Sequence, residues 1–249
     1  MTGLLKTFWI VALTCLLSAQ ALSAEAPKTA KVESPEKETL AGHSYHGEAF
    51  NEGARQKAYL MQGTGNVHFP ATTKSSLAQN FIDQGLGQVY GFWYFEAERS
   101  IRQAAALDPN CAIAYWGMAL ANKNNSKRAK GFLKKALEHK AKATKREKLY
   151  IDALNNYVNS TGKARGKRGR AFATACGNIA KKFPKDNEAK ALQGLFWYLT
   201  RNQKPKLTYE NIEKKLNQVL AVNPMHPCHH FRIHLCDPKT PANALNSPS

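Results

Sequence analysis

The most constraining feature of this sequence is the spacing of small, apolar and proline residues between residues 78 and 119. Residues 78–111 form a unit of 34 residues in which apolar residues recur with helical spacing in two blocks separated by a short break. Gly85 in the first block and Ala97 in the second predict a close approach of two antiparallel helices. Pro109 ends the second block, because proline cannot continue the hydrogen-bond ladder of a helix. The unit therefore predicts a helical hairpin.

The same spacing returns further along the chain. A second unit starts at Ala112, and turns ending in Pro184 and Pro224 share the repeat phase of Pro109. No run of alternating β-branched residues interrupts the pattern. These observations predict an all-α fold built from helical hairpins over residues 75–236. The glycine-rich and basic sequence from Ser160 to Arg170 is expected to be a loop within it.

The N-terminus resembles an export signal. Residues 1–24 combine Lys6, an apolar run of ten residues and the small-residue sequence Leu22-Ser23-Ala24. The run is shorter than the roughly 20 residues of a membrane span, so we expect cleavage and a periplasmic or extracellular protein, with an uncleaved membrane anchor as the alternative.

The rest of the chain outside the hairpins divides into three parts. Residues 25–41 are polar and read as a flexible tether. Residues 42–74 carry enough aromatic and apolar residues to predict an ordered, irregular segment that covers the end or the groove of the helical array. Residues 237–249 are expected to form an irregular tail.

The one cluster of residues in this sequence that could carry out chemistry consists of histidines. The sequence contains no GxSxG, HExxH, CxxCH or paired CxxC motif, so the common enzyme signatures are absent and a binding protein is favoured over an enzyme. Imidazoles one helical turn apart can hold zinc or copper. The candidate ligands are the C-terminal cluster His226, His229, His230 and His234, joined by His43, His46 and His68 if the N-terminal segment folds back. Core histidines bonded to backbone or carboxylate groups are the alternative interpretation.

Positive charge is concentrated in one region. The chain has a formal net charge of +18, and residues 123–182 hold eighteen Lys or Arg against three acidic residues. Such a field attracts polyanions, which behind an export signal means anionic envelope polymers or lipid headgroups. A solvated lysine face is the alternative. Aromatic residues do not alternate with the basic ones in Ser160 to Arg170, so nucleic-acid binding by base stacking is disfavoured.

Four cysteines remain after removal of the signal. An even number of thiols in an oxidising compartment permits two disulfides without requiring any. If Cys228 and Cys236 share a helix, about 12 Å of helix rise separates them, which is too far for a disulfide. We therefore predict buried free thiols at Cys111, Cys176, Cys228 and Cys236.

The 34-residue spacing resembles the tetratricopeptide repeat (TPR). The sequences HGEAFNEG, VHFPATT, QGLGQVYGFWYFEAERSIRQAAALDPNCAIAYWGMALAN, REKLYIDAL and HPCHHFRIHL also resemble a family of exported bacterial TPR-containing proteins with no established activity. The resemblance covers residues 42–245 and implies a right-handed superhelix of helix pairs, an α-solenoid. Members of this family typically continue with further helix pairs, so a truncated member is expected.

A TPR array generally binds a protein or peptide on a concave surface formed by the first helix of each pair. In this sequence the residues expected at accessible positions of those helices are Gln84, Gln88, Asn122 and Trp197. The first hypothesis for function is thus an exported interaction scaffold, and the second is a metal-binding protein or a metalloenzyme that uses the histidine cluster.

Overall fold

The structure is a computed structural model that describes residues 57–160 and 162–237. All regular secondary structure in these residues is helical, which confirms the predicted all-α class for this part of the chain. The predicted signal, tether and tail, together with His43 and His46, lie outside the described residues. The α-helices are α1 (Ser76–Tyr90), α2 (Tyr94–Leu107), α3 (Ala112–Ala121), α4 (Ser126–His139), α5 (Lys145–Asn159), α6 (Arg165–Lys182), α7 (Asn187–Leu199), α8 (Tyr209–Leu220) and α9 (His229–Cys236).

Each helix packs against the next one in the chain, so that α1 to α8 form four consecutive hairpins followed by α9. Odd-numbered helices also contact one another, α1 with α3, α3 with α5, and α7 with α9. One contiguous core runs through all the hairpins. This arrangement agrees with the predicted hairpin packing.

The first hairpin shows why the small residues matter. A Cβ atom added at Gly85 would lie 2.3 Å from Cγ1 of Ile101 and 3.1 Å from the carbonyl oxygen of Ala97. Carbon atoms do not approach that closely without displacement. Glycine at this position therefore sets the distance between α1 and α2.

Side-chain caps fix where several helices begin. The side chain of Thr144 accepts a hydrogen bond from the backbone N–H of Glu147, and the Glu147 carboxylate accepts one from the backbone N–H of Thr144, which forms a reciprocal capping box at α5. Four other helix N-termini are capped by an oxygen of the preceding side chain, in Ser75, Asn125, Asp186 and Thr208.

The expectation of a loop from Ser160 to Arg170 is wrong in its second half, because α6 begins at Arg165. Tertiary contacts outweigh the weak helix propensity of glycine here. Gly169 is buried, and an added Cβ would lie 2.6 Å from Cγ2 of Thr200. The guanidinium group of Arg170 donates hydrogen bonds to the carbonyl oxygens of Thr200 and Gln203.

A buried ionic cluster joins α2 to α4. The carboxylate of Glu98 accepts hydrogen bonds from Arg102 Nε at 2.7 Å and from Asn122 Nδ2 at 2.7 Å, and it also pairs with Arg128. Burial alone would raise the pKa of Glu98, but the two guanidinium groups and the Asn122 amide hold that pKa below its ordinary value. One of the basic residues of 123–182 thus has a structural role.

The four cysteines are free and buried, as predicted. Burial raises the pKa of the Cys111 thiol to about 11, and it raises the pKa values of Cys176 and Cys228 further. These thiols are therefore protonated and unreactive at neutral pH.

Candidate functional site

Residues 57–74, which we call the strap, have no regular secondary structure and lie against the odd-numbered helices. On α1, the Gln84 side chain accepts a hydrogen bond from the backbone N–H of Met61 at 2.7 Å and donates one to the carbonyl oxygen of Tyr59 at 2.9 Å. The Gln88 amide contacts the sulfur of Met61. Helix side chains thus bind the backbone of the strap as they would bind a peptide.

Phe69 anchors the middle of the strap. Its fully buried ring stacks on Trp116 of α3, with centroids 5.1 Å apart, and packs against Tyr150 of α5 at 4.9 Å. The backbone N–H of Phe69 donates to the Asp83 carboxylate at 2.8 Å, and His68 Nδ1 lies 3.0 Å from the same carboxylate. Burial raises the pKa of Asp83 even though these hydrogen bonds oppose the change.

The last part of the strap is bound by the first turn of α5. Thr72 donates two hydrogen bonds of 2.6 Å to the Glu147 carboxylate, one from its backbone N–H and one from its hydroxyl. Burial acts to raise the pKa of Glu147, but the hydrogen bonds from Thr72 and Thr144 outweigh it and lower that pKa. The strap is therefore fastened to the inner helices along its described length.

The predicted accessibility of the partner-binding residues is not found. Gln84 and Gln88 are buried beneath the strap, and Asn122 is buried in the ionic cluster with Glu98. Trp197 is partly buried against the core, with Lys215 Nζ 5.8 Å from its ring centroid. Helical spacing put the two glutamines on one face of α1, and residues 57–74 of the segment expected to cover the array lie over that face.

An open cleft of about 740 Å³ lies beside the strap. Its walls are residues 66–70 of the strap, the turn between α6 and α7, the turn between α8 and α9, and the first turns of α5 and α7. Hydrogen bonds join two walls, since the backbone N–H of Asn66 donates to the carbonyl of Met225 and the Asn223 amide donates to the carbonyl of Asn66.

Arg146 and Asp186 form the most connected ion pair of this cleft. Arg146 Nε lies 2.6 Å from Asp186 Oδ2, and its Nη2 lies 3.2 Å from Oδ1. The same guanidinium stands over the Phe69 ring at 4.2 Å and donates to the carbonyl of Pro70. The pair therefore ties the strap to the start of α7, where Asp186 is the cap.

A buried hydrogen-bond network lies behind Glu188, which lines the cleft. Tyr90, the last residue of α1, donates its hydroxyl to Glu188 Oε2 at 2.8 Å, and His226 Nε2 lies 3.3 Å from the same oxygen. The backbone N–H of Cys228 donates to His226 Nδ1, which leaves the imidazole proton on Nε2, facing Glu188. Burial and the nearby Glu188 carboxylate raise the pKa of Tyr90 well above its ordinary value.

The C-terminal histidines separate into different environments. His226 is fully buried in the turn before α9, and His229 Nε2 faces the carbonyl of Pro224 at 2.9 Å. His230 and His234 lie one helical turn apart on α9, with their Nε2 atoms 3.1 Å from each other. The predicted cluster of histidines is thus divided, since His68 is bound to Asp83 elsewhere.

Among residues 57–160 and 162–237, no group of three or more His, Cys, Asp or Glu side chains is arranged to hold a metal ion. The pair His230 and His234 is what remains of the sequence prediction in this range. The contributions of His43 and His46 lie outside the described residues.

The sequence analysis did not identify the carboxylates of the site. Asp186 caps α7 four residues after Lys182, the last residue of α6, and Glu188 lies in the first turn of α7, where acidic residues are favoured. That signal indicates a cap but not a partner. No local signal predicts that Tyr90, 98 positions away from Glu188, meets it.

In the described part of the chain, no helix has the length and apolar character needed to cross a membrane. Comparison with protein-family models, with curated proteins and with solved structures gave no match.

Proposed function

We propose that this protein is an exported scaffold of TPR-type helix pairs that binds an extended segment of a protein partner in the cleft beside the strap. The observation that carries the proposal is the strap itself. The odd-numbered helices already hold one irregular chain segment through Gln84, Trp116 and Glu147. A surface with apolar and polar side chains continues in the cleft, which the described residues leave open.

The cleft combines apolar contact with hydrogen bonding, as peptide sites do. Val222 and Met225 are 64% and 58% exposed at its rim. Asn187 also lines the cleft, and donation from its Nδ2 to the carbonyl of Val219 fixes its amide there.

Site-specific photocrosslinking tests the proposal. A benzophenone amino acid replaces Met225 in the cleft or, as the control, Leu137, which is 39% exposed on α4. We expect discrete adducts from Met225 and none from Leu137. The substitution Val222→Asp should lower the adduct yield at Met225 at least about tenfold, because it puts a carboxylate on the apolar rim. Equal adducts at both positions, or no effect of Val222→Asp, would contradict the proposal.

A second surface, the outer face of α4 to α6, suits an anionic envelope polymer or lipid headgroups. Lys130, Lys134, Lys142 and Lys163 are exposed there. Binding to vesicles containing anionic lipid should fall steeply between low and physiological salt and should weaken in Lys130→Glu/Lys134→Glu. Partner binding in the cleft should survive the same salt, which separates the two surfaces.

A further inference from the structure

The pair His230 and His234 has the geometry of two metal ligands. Both belong to α9 and their Nε2 atoms lie 3.1 Å apart, with ring centroids at 4.8 Å. Two imidazole nitrogens at about 2.0–2.1 Å from one ion would be roughly 3.3 Å from each other in tetrahedral coordination and roughly 2.9 Å at adjacent corners of a square plane. The observed separation of 3.1 Å lies between these two values, so both Nε2 atoms are already spaced to share one ion.

A backbone carbonyl orients the first of these ligands. His230 Nδ1 lies 3.2 Å from the carbonyl oxygen of Tyr90, the last residue of α1. As a donor to that carbonyl, Nδ1 carries the proton, and Nε2 keeps its lone pair for His234 or for an ion. Metal-binding histidines in proteins usually have such a partner on the second ring nitrogen.

A strained residue forms the wall of the pair. Phe92 has φ = 62°, in the left-handed region that bulky residues avoid. Its ring lies 4.8 Å from the His230 ring and stacks on the His234 ring at 6.0 Å, while Tyr198 stacks on it at 6.2 Å. Strain of this type concentrates at functional sites. Here it places an aromatic ring against both imidazoles.

The pair is open to solvent on the side of His234, which is exposed, whereas His230 is half-buried. Two neutral imidazoles are borderline ligands that prefer copper over zinc and nickel, and they leave further coordination positions to water or to an external ligand. We propose that His230 and His234 form a two-histidine site for a late divalent transition-metal ion, with Cu²⁺ bound most tightly and Zn²⁺ less so.

In the metal-free protein the proton on His234 Nε2 lies between the two rings, with His230 Nε2 as acceptor. When an ion binds, this proton moves to His234 Nδ1 through solvent, and both Nε2 lone pairs face the metal. No change in the fold of α9 is needed.

Copper titration of the tag-free mature chain tests the site. We expect one Cu²⁺ per chain by calorimetry and an electron paramagnetic resonance spectrum with coupling to two imidazole nitrogens. His234→Ala removes one of the two ligands, so it should weaken Cu²⁺ binding more than about 100-fold, beyond the 10–100-fold loss typical for an outer partner, and should remove coupling to the second nitrogen.

Two controls keep the result specific. His139→Ala removes a histidine that stacks on Tyr115, away from α9. The double variant His43→Ala/His46→Ala removes the N-terminal pair. Neither variant should change the affinity for Cu²⁺. Circular dichroism verifies the helix content, and His234→Gln replaces His234→Ala if that content falls. Unchanged Cu²⁺ affinity in the His234 variants, or loss of binding in a control, would overturn the assignment.

Discussion

A buried lysine provides the sharpest test of the energetics of this fold. Lys123 lies in the turn between α3 and α4 and is only 7% exposed. Its Nζ atom stands 3.5 Å from the centroid of the Tyr94 ring and makes no hydrogen bond with any residue of 57–160 or 162–237. Burial, with a smaller contribution from Arg165, lowers the pKa of Lys123 from 10.5 to about 7. The amine is therefore largely neutral in the folded protein above neutral pH.

The sign of the pH dependence follows from this shift. Between pH 7 and 10.5 the unfolded chain binds a proton at Lys123 that the folded chain does not bind, so the free energy of unfolding rises with pH. The contribution is fully present above the unfolded pKa and is lost as the pH falls through the folded pKa. A shift from 10.5 to about 7 corresponds to at most about 5 kcal/mol, or about 1.4 kcal/mol per pH unit inside the window.

The substitution Lys123→Met isolates this contribution, with Lys130→Met on the exposed surface of α4 as the matched control. Urea unfolding followed by circular dichroism at pH 7, 8 and 9 gives the free energies of unfolding. Relative to the unsubstituted protein, Lys123→Met should be more stable at pH 7 by roughly 1–3 kcal/mol, and the advantage should shrink by about 2–3 kcal/mol between pH 7 and 9. Parallel pH profiles for the two proteins would refute the reasoning, and Lys130→Met should produce such parallel profiles.

Two further predictions concern packing and buried charge. Glu98→Gln leaves Arg102 and Arg128 without their shared carboxylate and should lower the free energy of unfolding by about 3–5 kcal/mol. The control Glu96→Gln affects the more exposed pair with Arg99. It should lower the free energy of unfolding by less than about 1 kcal/mol in the same urea measurement. Gly85→Ala puts a methyl group 2.3 Å from Ile101 Cγ1 and should lower the free energy of unfolding by about 1–3 kcal/mol. In the control Gly91→Ala the added Cβ has no neighbour closer than 3.6 Å, so the melting temperature should change little. Equal effects of the two alanines would contradict the role of Gly85.

Local sequence rules predicted the helical hairpins because the information they use is local. Apolar spacing, the small residues at Gly85 and Ala97, and the prolines at 109, 184 and 224 each act within one hairpin or one turn. The same rules failed at Arg165 to Arg170, where two glycines suggested a loop. There the helix is stabilised by contacts with Thr200 and Gln203, which lie some thirty residues away.

The candidate site could be predicted only in part, for a related reason. The histidine cluster was visible as a sequence, and one turn of helix correctly brought His230 beside His234. The turn before α9, however, directs His226 into the core against Glu188, whereas His230 faces Tyr90 and Phe92. Which histidine meets which partner depends on the approach of α1 to α9, and nothing in residues 226–234 specifies that approach.

The contacts of α1 with α7 and α9 also bear on whether distant hairpins unfold together. In a linear repeat array each unit contacts only its neighbours, so a substitution acts locally. Here Tyr90 of α1 bonds to Glu188 of α7 and packs against the His226 and Phe231 rings at 4.9 and 6.1 Å. The first and last parts of the described chain are thereby in direct contact.

Tyr90→Phe removes the hydroxyl from Glu188 while keeping the ring. We expect the free energy of unfolding to fall by about 1–3 kcal/mol, because the buried carboxylate loses one of its two side-chain partners within the described part of the chain and keeps His226. If the contact couples the two ends, amide hydrogen exchange should speed up in α7 and α9 as well as in α1. The matched variant Tyr115→Phe removes a hydroxyl of α3 that donates to the carbonyl of Pro109 in the preceding turn, and it should accelerate exchange near that turn alone. Acceleration restricted to α1 in Tyr90→Phe would mean that the hairpins respond independently, as in an open array.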